Sequence, residues 1–215
     1  MIHAYQETYL NKAQSTLGEA FDYAFNDCGI SIKDLNSIIV NSEIIFRFEQ
    51  GDPAIIAGKS GPEIIIDIFY QAKNEYIKKT PEIKYSRSAE YWIGWIIAYY
   101  QWYSDRKISE ILEAVSFEEL CNMYYTLHEA DISKTVEILD EKLKEHFKQT
   151  KLCTLRKICG YSQSQLSKKA GVSLRSIQMY EQRQKNINKA SVQTLYSICK
   201  VLGCNIDDLL EKHPY

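Results

Sequence analysis

Between Gly160 and Gln182 the chain spells two short helical patterns that meet at Ala170-Gly171-Val172. Gly171 can take the positive φ that a tight turn between two helices requires. Ser162, with Gln165 three residues on, has the spacing of a capping box and starts the first helix. Ser173 is a suitable N-cap for the second. Leu166, Ala170, Val172 and Ile177 are the apolar positions that pack such a pair at a steep angle. Leu174, Arg175, Gln178 and Met179 are then left on the outer face of the second helix. A helix presented in this way can meet base edges in a major groove.

The pattern extends to both sides. Leu155-Arg156 precedes the pair, and Glu181 closes the second helix. Thr194-Leu195, Leu202-Gly203 and Asp208-Leu209-Leu210 mark two further helices. On these residues the segment 151–211 resembles the Cro and phage-repressor (Xre) family of helix-turn-helix domains. The resemblance implies a compact five-helix, lambda-repressor-like unit whose partner is double-stranded DNA. It also implies a structural ion pair between Arg156 and Glu181, the only acidic residue between Lys151 and Ile206. The expected DNA-binding residues are Gln163, Ser173, Leu174, Arg175, Ser176, Gln178, Met179 and Arg183. Arg175 is the expected bidentate donor to a guanine, with Leu174 and Met179 suited to thymine methyl groups. Gln163, first after the Ser162 cap, is expected to touch the DNA backbone or to brace the recognition helix. Arg183 departs from the family pattern, since many relatives carry a glycine there.

Charge supports the same division. Residues 151–215 hold 11 Lys and Arg against 4 Asp and Glu, a net of +7, while residues 1–150 carry −9, which together make the −2 of the whole chain. A basic C-terminal part joined to an acidic N-terminal one is expected when one half faces phosphates.

Residues 1–150 read as helical throughout, so the whole chain is expected to be all-α, with a domain of 1–150 followed by one of 151–215. Ala4 to Cys28 has apolar positions at helical spacing, with Gly29 as a stop, and Ile32 to Phe48 reads as a second helix. Ser60 is the cap of a third, with Pro62 in its first turn. An aromatic helix runs from about Ser88 to Ser104, and Ser116-x-x-Glu119 opens another to about Leu127. Asp131 opens a charged helix to about Phe147, and Gln149-Thr150-Lys151 reads as the joint between the domains. The chain runs out at His213-Pro214-Tyr215, soon after the fifth helix of the second domain.

Other chemistry is weakly supported. Gly58-Lys59-Ser60 looks like the tail of a phosphate-binding loop, but Pro53 stands where such a loop needs glycine. Six cysteines show no Cys-x-x-Cys pair, and four histidines are scattered. No metal site and no cofactor are expected, and the cysteines read as buried free thiols. Asp140 and Glu141 read as a solvated helical face, and no catalytic constellation stands out, so no enzyme activity is expected. No signal peptide is visible and no stretch is long enough to span a bilayer, so the expectation is a cytoplasmic protein with no membrane partner. The cluster Tyr91, Trp92, Trp95, Tyr99, Tyr100, Trp102 and Tyr103 reads first as core, with a protein interface or a small-molecule pocket as alternatives. The expected function is a sequence-specific transcriptional regulator of repressor type, with residues 1–150 as a regulatory or interaction domain that self-associates into a homodimer. The alternative is an antitoxin, whose N-terminal domain binds a toxin while the other domain represses their operon.

Overall fold

The computed structural model describes residues 3–211, all of whose regular structure is helical. The chain end at His213-Pro214-Tyr215 lies outside the described residues. The fold divides into two compact units, residues 1–143 and 144–215.

The N-terminal unit is built around two helices, α1 (Leu10–Asp22) and α6 (Ala89–Ser104), which pack on each other more extensively than any other pair. Gly94 makes this approach possible: a Cβ there would sit 2.3 Å from the Leu17 carbonyl oxygen of α1. Around this pair lie α2 (Ile32–Ile39), α3 (Glu43–Glu49), α4 (Pro53–Ile56) and α5 (Gly61–Lys73). They are followed by α7 (Ile108–Ala114), α8 (Phe117–Leu127) and α9 (Ile132–His146). Leu17, Phe21, Phe48, Ile64, Ile93, Ile97 and Tyr100 are buried in the core.

Several starts follow local capping chemistry. Ser60 and Glu63 form a full capping box at α5, with Pro62 in its first turn, and Ser116 and Glu119 form another at α8. Ser88 caps α6. The Lys142 ammonium and the Ser116 N–H and hydroxyl beside Glu119 hold its carboxyl down to about 2.

Several expectations change. The helix read over Ala4 to Cys28 is a 3-10 turn (Glu7–Tyr9), then α1, then a π-helical turn (Tyr23–Asp27). The helix read over Ile32 to Phe48 is two, because Ser42 accepts the Ile45 N–H and starts α3 anew. Helices α4 and α7 have no counterpart in the expected set. Asp140 is not merely solvated: it accepts a 2.6 Å hydrogen bond from the Tyr100 hydroxyl and so ties α9 to α6.

The phosphate-loop look-alike resolves into helix starting. Ser60 is spent on its cap, and the Lys59 ammonium pairs with Asp67 at 2.5 Å. The six cysteines are free thiols, but Cys199 alone is buried; Cys159 is exposed and the rest are intermediate. Among the described residues no group of His, Cys, Asp or Glu is arranged to hold a metal, and no helix is long and apolar enough to cross a membrane.

The C-terminal unit contains α10 (Lys151–Ile158), α11 (Gln163–Ala170), α12 (Leu174–Glu181), α13 (Val192–Leu202) and α14 (Ile206–Leu209). They close on a core of Leu152, Leu166, Ile177, Tyr180, Ile187, Leu195, Ile198 and Leu209, with Ala170 and Val172 packed against it. The stretch Gln149-Thr150-Lys151 belongs to this unit. Thr150, 2% exposed, accepts the Cys153 N–H as the cap of α10, and the Lys151 N–H donates to Glu211.

Candidate nucleic-acid interface

Short-range hydrogen bonds set the start of α11 and its turn into α12. Ser162 accepts the Gln165 N–H at 3.1 Å, and Gln165 returns the contact to the Ser162 N–H at 2.8 Å. Gly171 ends α11 at φ +65°. The Ser167 hydroxyl then donates to the Val172 carbonyl at 2.6 Å, and Ser173 accepts the Ser176 N–H at 3.1 Å. Each bond satisfies a backbone group that a helix end would otherwise leave open.

Glu181, at the end of α12, anchors this pair to the rest of the unit. Its carboxylate accepts from Arg156 Nε at 2.6 Å and from the second Arg156 nitrogen at 2.8 Å. Gln163 Nε2 adds a third bond at 2.8 Å, and Arg156 also donates to the Tyr161 carbonyl. The pair is buried, with side-chain exposures of 11% for Arg156 and 4% for Glu181. Burial pushes the Glu181 carboxyl up, but the bonds from Arg156 and Gln163 outweigh it and hold the group below the usual carboxylate range. Three helices thus meet on one carboxylate, which fixes the axis of α12. Gln163 therefore braces α12.

The remaining expected residues fall into three groups. Ser173, Leu174 and Arg175 are exposed at the start of α12; Ser176, Gln178 and Met179 are half-buried along it. Ser173 and Ser176 are joined to each other as the cap. Arg183 is placed differently from a side chain free to reach DNA. Its guanidinium donates to the Phe147 carbonyl at 2.7 Å and the Lys148 carbonyl at 3.4 Å, and lies 3.8 Å from Glu211. Its backbone is left-handed, φ +56°, the conformation for which glycine suits this position. Arg183→Ala should therefore be less stable than Arg183→Gly by about 1 kcal/mol, both having lost the anchor but only alanine keeping the strain. Thermal melting of the two variants by circular dichroism checks this; equal midpoints would show that the backbone relaxes.

Local spacing did not single out Tyr161 and Lys169. The Lys169 ammonium sits 4.4 Å from the Tyr161 ring centroid and 3.1 Å from its hydroxyl, so a cation is pinned beside the end of α11. Only the folded arrangement joins them, as Tyr161 precedes α11 and Lys169 lies in its last turn.

Residues 154–209 match the family model described as helix-turn-helix. Comparison with the curated proteins and with the solved structures gives no match. The capped pair α11–α12, its five-helix setting and this match agree: residues 154–209 form a helix-turn-helix domain of the Cro/C1, Xre-like type, a DNA-binding module.

Proposed function

We propose that this chain is a sequence-specific transcriptional regulator, a repressor acting on double-stranded DNA in the cytoplasm, with α12 as its reading helix. The observation that carries the reading is the contrast along α12. Its far end is locked by Glu181 to α10 and α11, while its start leaves Leu174 and Arg175 exposed. A rigid helix with an exposed arginine near its N-terminus suits recognition of a guanine edge. Lys168, Lys169 and Lys185 are exposed cations in the same unit and suit phosphate contact. Repression follows from occupancy of a site that other proteins need. The N-terminal unit serves regulation or assembly, and pairing two copies would double a footprint that one small unit makes modest. No step of this function requires catalysis.

Selection of binding sites from random duplexes, followed by gel-shift titration, tests the reading. The full chain should enrich one sequence. Arg175→Ala should cost about 1–3 kcal/mol on that sequence and relax one base position. Equal losses on selected and random DNA would show that Arg175 touches only phosphate. Failure to enrich any sequence would overturn sequence-specific regulation itself.

A further inference from the structure

We propose that the cleft between α6, α8 and the start of α9 is a binding site for a planar aromatic acid. The site lies wholly within the N-terminal unit and stands independently of the DNA reading. Its volume is about 330 Å³, at the small end of the range of small-molecule pockets, ~300–1,000 Å³.

The walls are aromatic and preformed. Trp92 and Trp95 of α6 and Tyr124 of α8 line the cleft, with Leu127 and Ile132 closing it. Trp92 meets Tyr124 edge-on with centroids 5.8 Å apart, and Tyr124 stacks on His128 at 4.5 Å. The His128 ring is held in turn by a 2.7 Å bond from Nδ1 to the Tyr124 carbonyl; a carbonyl only accepts, so Nδ1 carries the proton. Contrast the other end of α6. There Trp102 is enclosed, with its indole N–H on the Tyr5 carbonyl and its ring stacked on His3. Trp95 is only half-buried and faces open space.

The charge around the cleft selects the ligand. Arg87 is exposed at the rim, its guanidinium 4.7 Å from the Tyr91 ring centroid. No carboxylate is among the lining residues; Glu129, 3.6 Å from His128 Nε2, stands outside them. The Ser88 hydroxyl is engaged with Asp22 and the Tyr91 N–H, so it is not the anchor. Aromatic walls alone would also accept an organic cation. Arg87 repels one and attracts a carboxylate, while the rings take the flat body by stacking.

Calorimetric titration of the full chain, without DNA, with naphthoate, naphthylmethylamine and cyclohexanecarboxylate tests the proposal. Naphthoate should saturate a single site, with both analogues at least about tenfold weaker, one lacking the anion and the other the aromatic plane. Trp95→Ala should weaken naphthoate by about tenfold or more. Arg87→Gln, a change at an exposed side chain, should abolish the preference over the amine even if Trp95→Ala proves unfolded by circular dichroism. Absence of saturable naphthoate binding at millimolar concentration overturns the site. Equal binding of the amine, or an unchanged preference in Arg87→Gln, overturns the assignment of an acid.

Discussion

Arg156→Met should destabilise the C-terminal unit by about 3–5 kcal/mol, and Arg156→Met combined with Glu181→Leu should cost distinctly less. The single change leaves a carboxylate with 4% exposure and only neutral partners, Gln163 and the Cys153 thiol. The double change removes both charges, so no buried ion is left uncompensated. The measurement exploits the position of the tryptophans: Trp92, Trp95 and Trp102 all belong to the N-terminal unit. Tryptophan fluorescence in urea follows that unit, far-ultraviolet circular dichroism follows both, and the loss seen only by the latter belongs to the helix-turn-helix. If the double variant is as unstable as the single one, packing and not the unpaired charge dominates. Acid should mimic the single change. Because the folded Glu181 carboxyl is held below its ordinary value of 4.5, its contribution is complete above that value and disappears as pH falls through the lowered one. The C-terminal unit of the double variant should lose less stability over that acid range than the parent's.

Gly94→Val should destabilise the N-terminal unit by about 3 kcal/mol or more, at the upper end for overpacking. The obstruction is backbone: the Leu17 carbonyl oxygen lies 2.3 Å and its carbon 2.8 Å from where a Cβ would stand. A flexible side chain could move aside; α1, packed between α5 and α6, cannot do so without losing contacts on both sides. Gly29→Ala is the control. It has open space around it but φ +62°, so it meets only backbone strain, about 1–2 kcal/mol. Urea midpoints by tryptophan fluorescence report both, since all three tryptophans share a helix with Gly94. A Gly94→Val effect no larger than that of Gly29→Ala would mean that the two helices can separate at little cost.

Much of the candidate site was legible because its signals are local. Ser162 with Gln165, the positive-φ Gly171 and the Ser173 cap are contacts between near neighbours, so residue type and spacing suffice to read them. The Arg156–Glu181 pair was legible by another route. It spans 25 residues, and a family resemblance, not spacing, pointed to it. Arg183 shows the limit of both routes. It was expected among the DNA-binding residues, while its side chain is held by carbonyls 35 and 36 residues earlier.

The sequence by itself determined an all-helical fold, the bounds of its aromatic helix, two capping boxes and a helix-turn-helix pair near its C-terminal end. These rest on period, capping and turn chemistry, which act over a few residues. Tertiary structure alone decided that Asp140 receives the Tyr100 hydroxyl from 40 residues away, whereas the caps at Ser42 and Thr150 are three-residue contacts that the reading of the sequence passed over. It also decided which aromatics of α6 became core and which became the wall of a cleft. The stretch is apolar on every face, so its own pattern expresses no preference. Only the folded chain supplies one, with His3 and Tyr5 covering Trp102 while Trp95 is left half open.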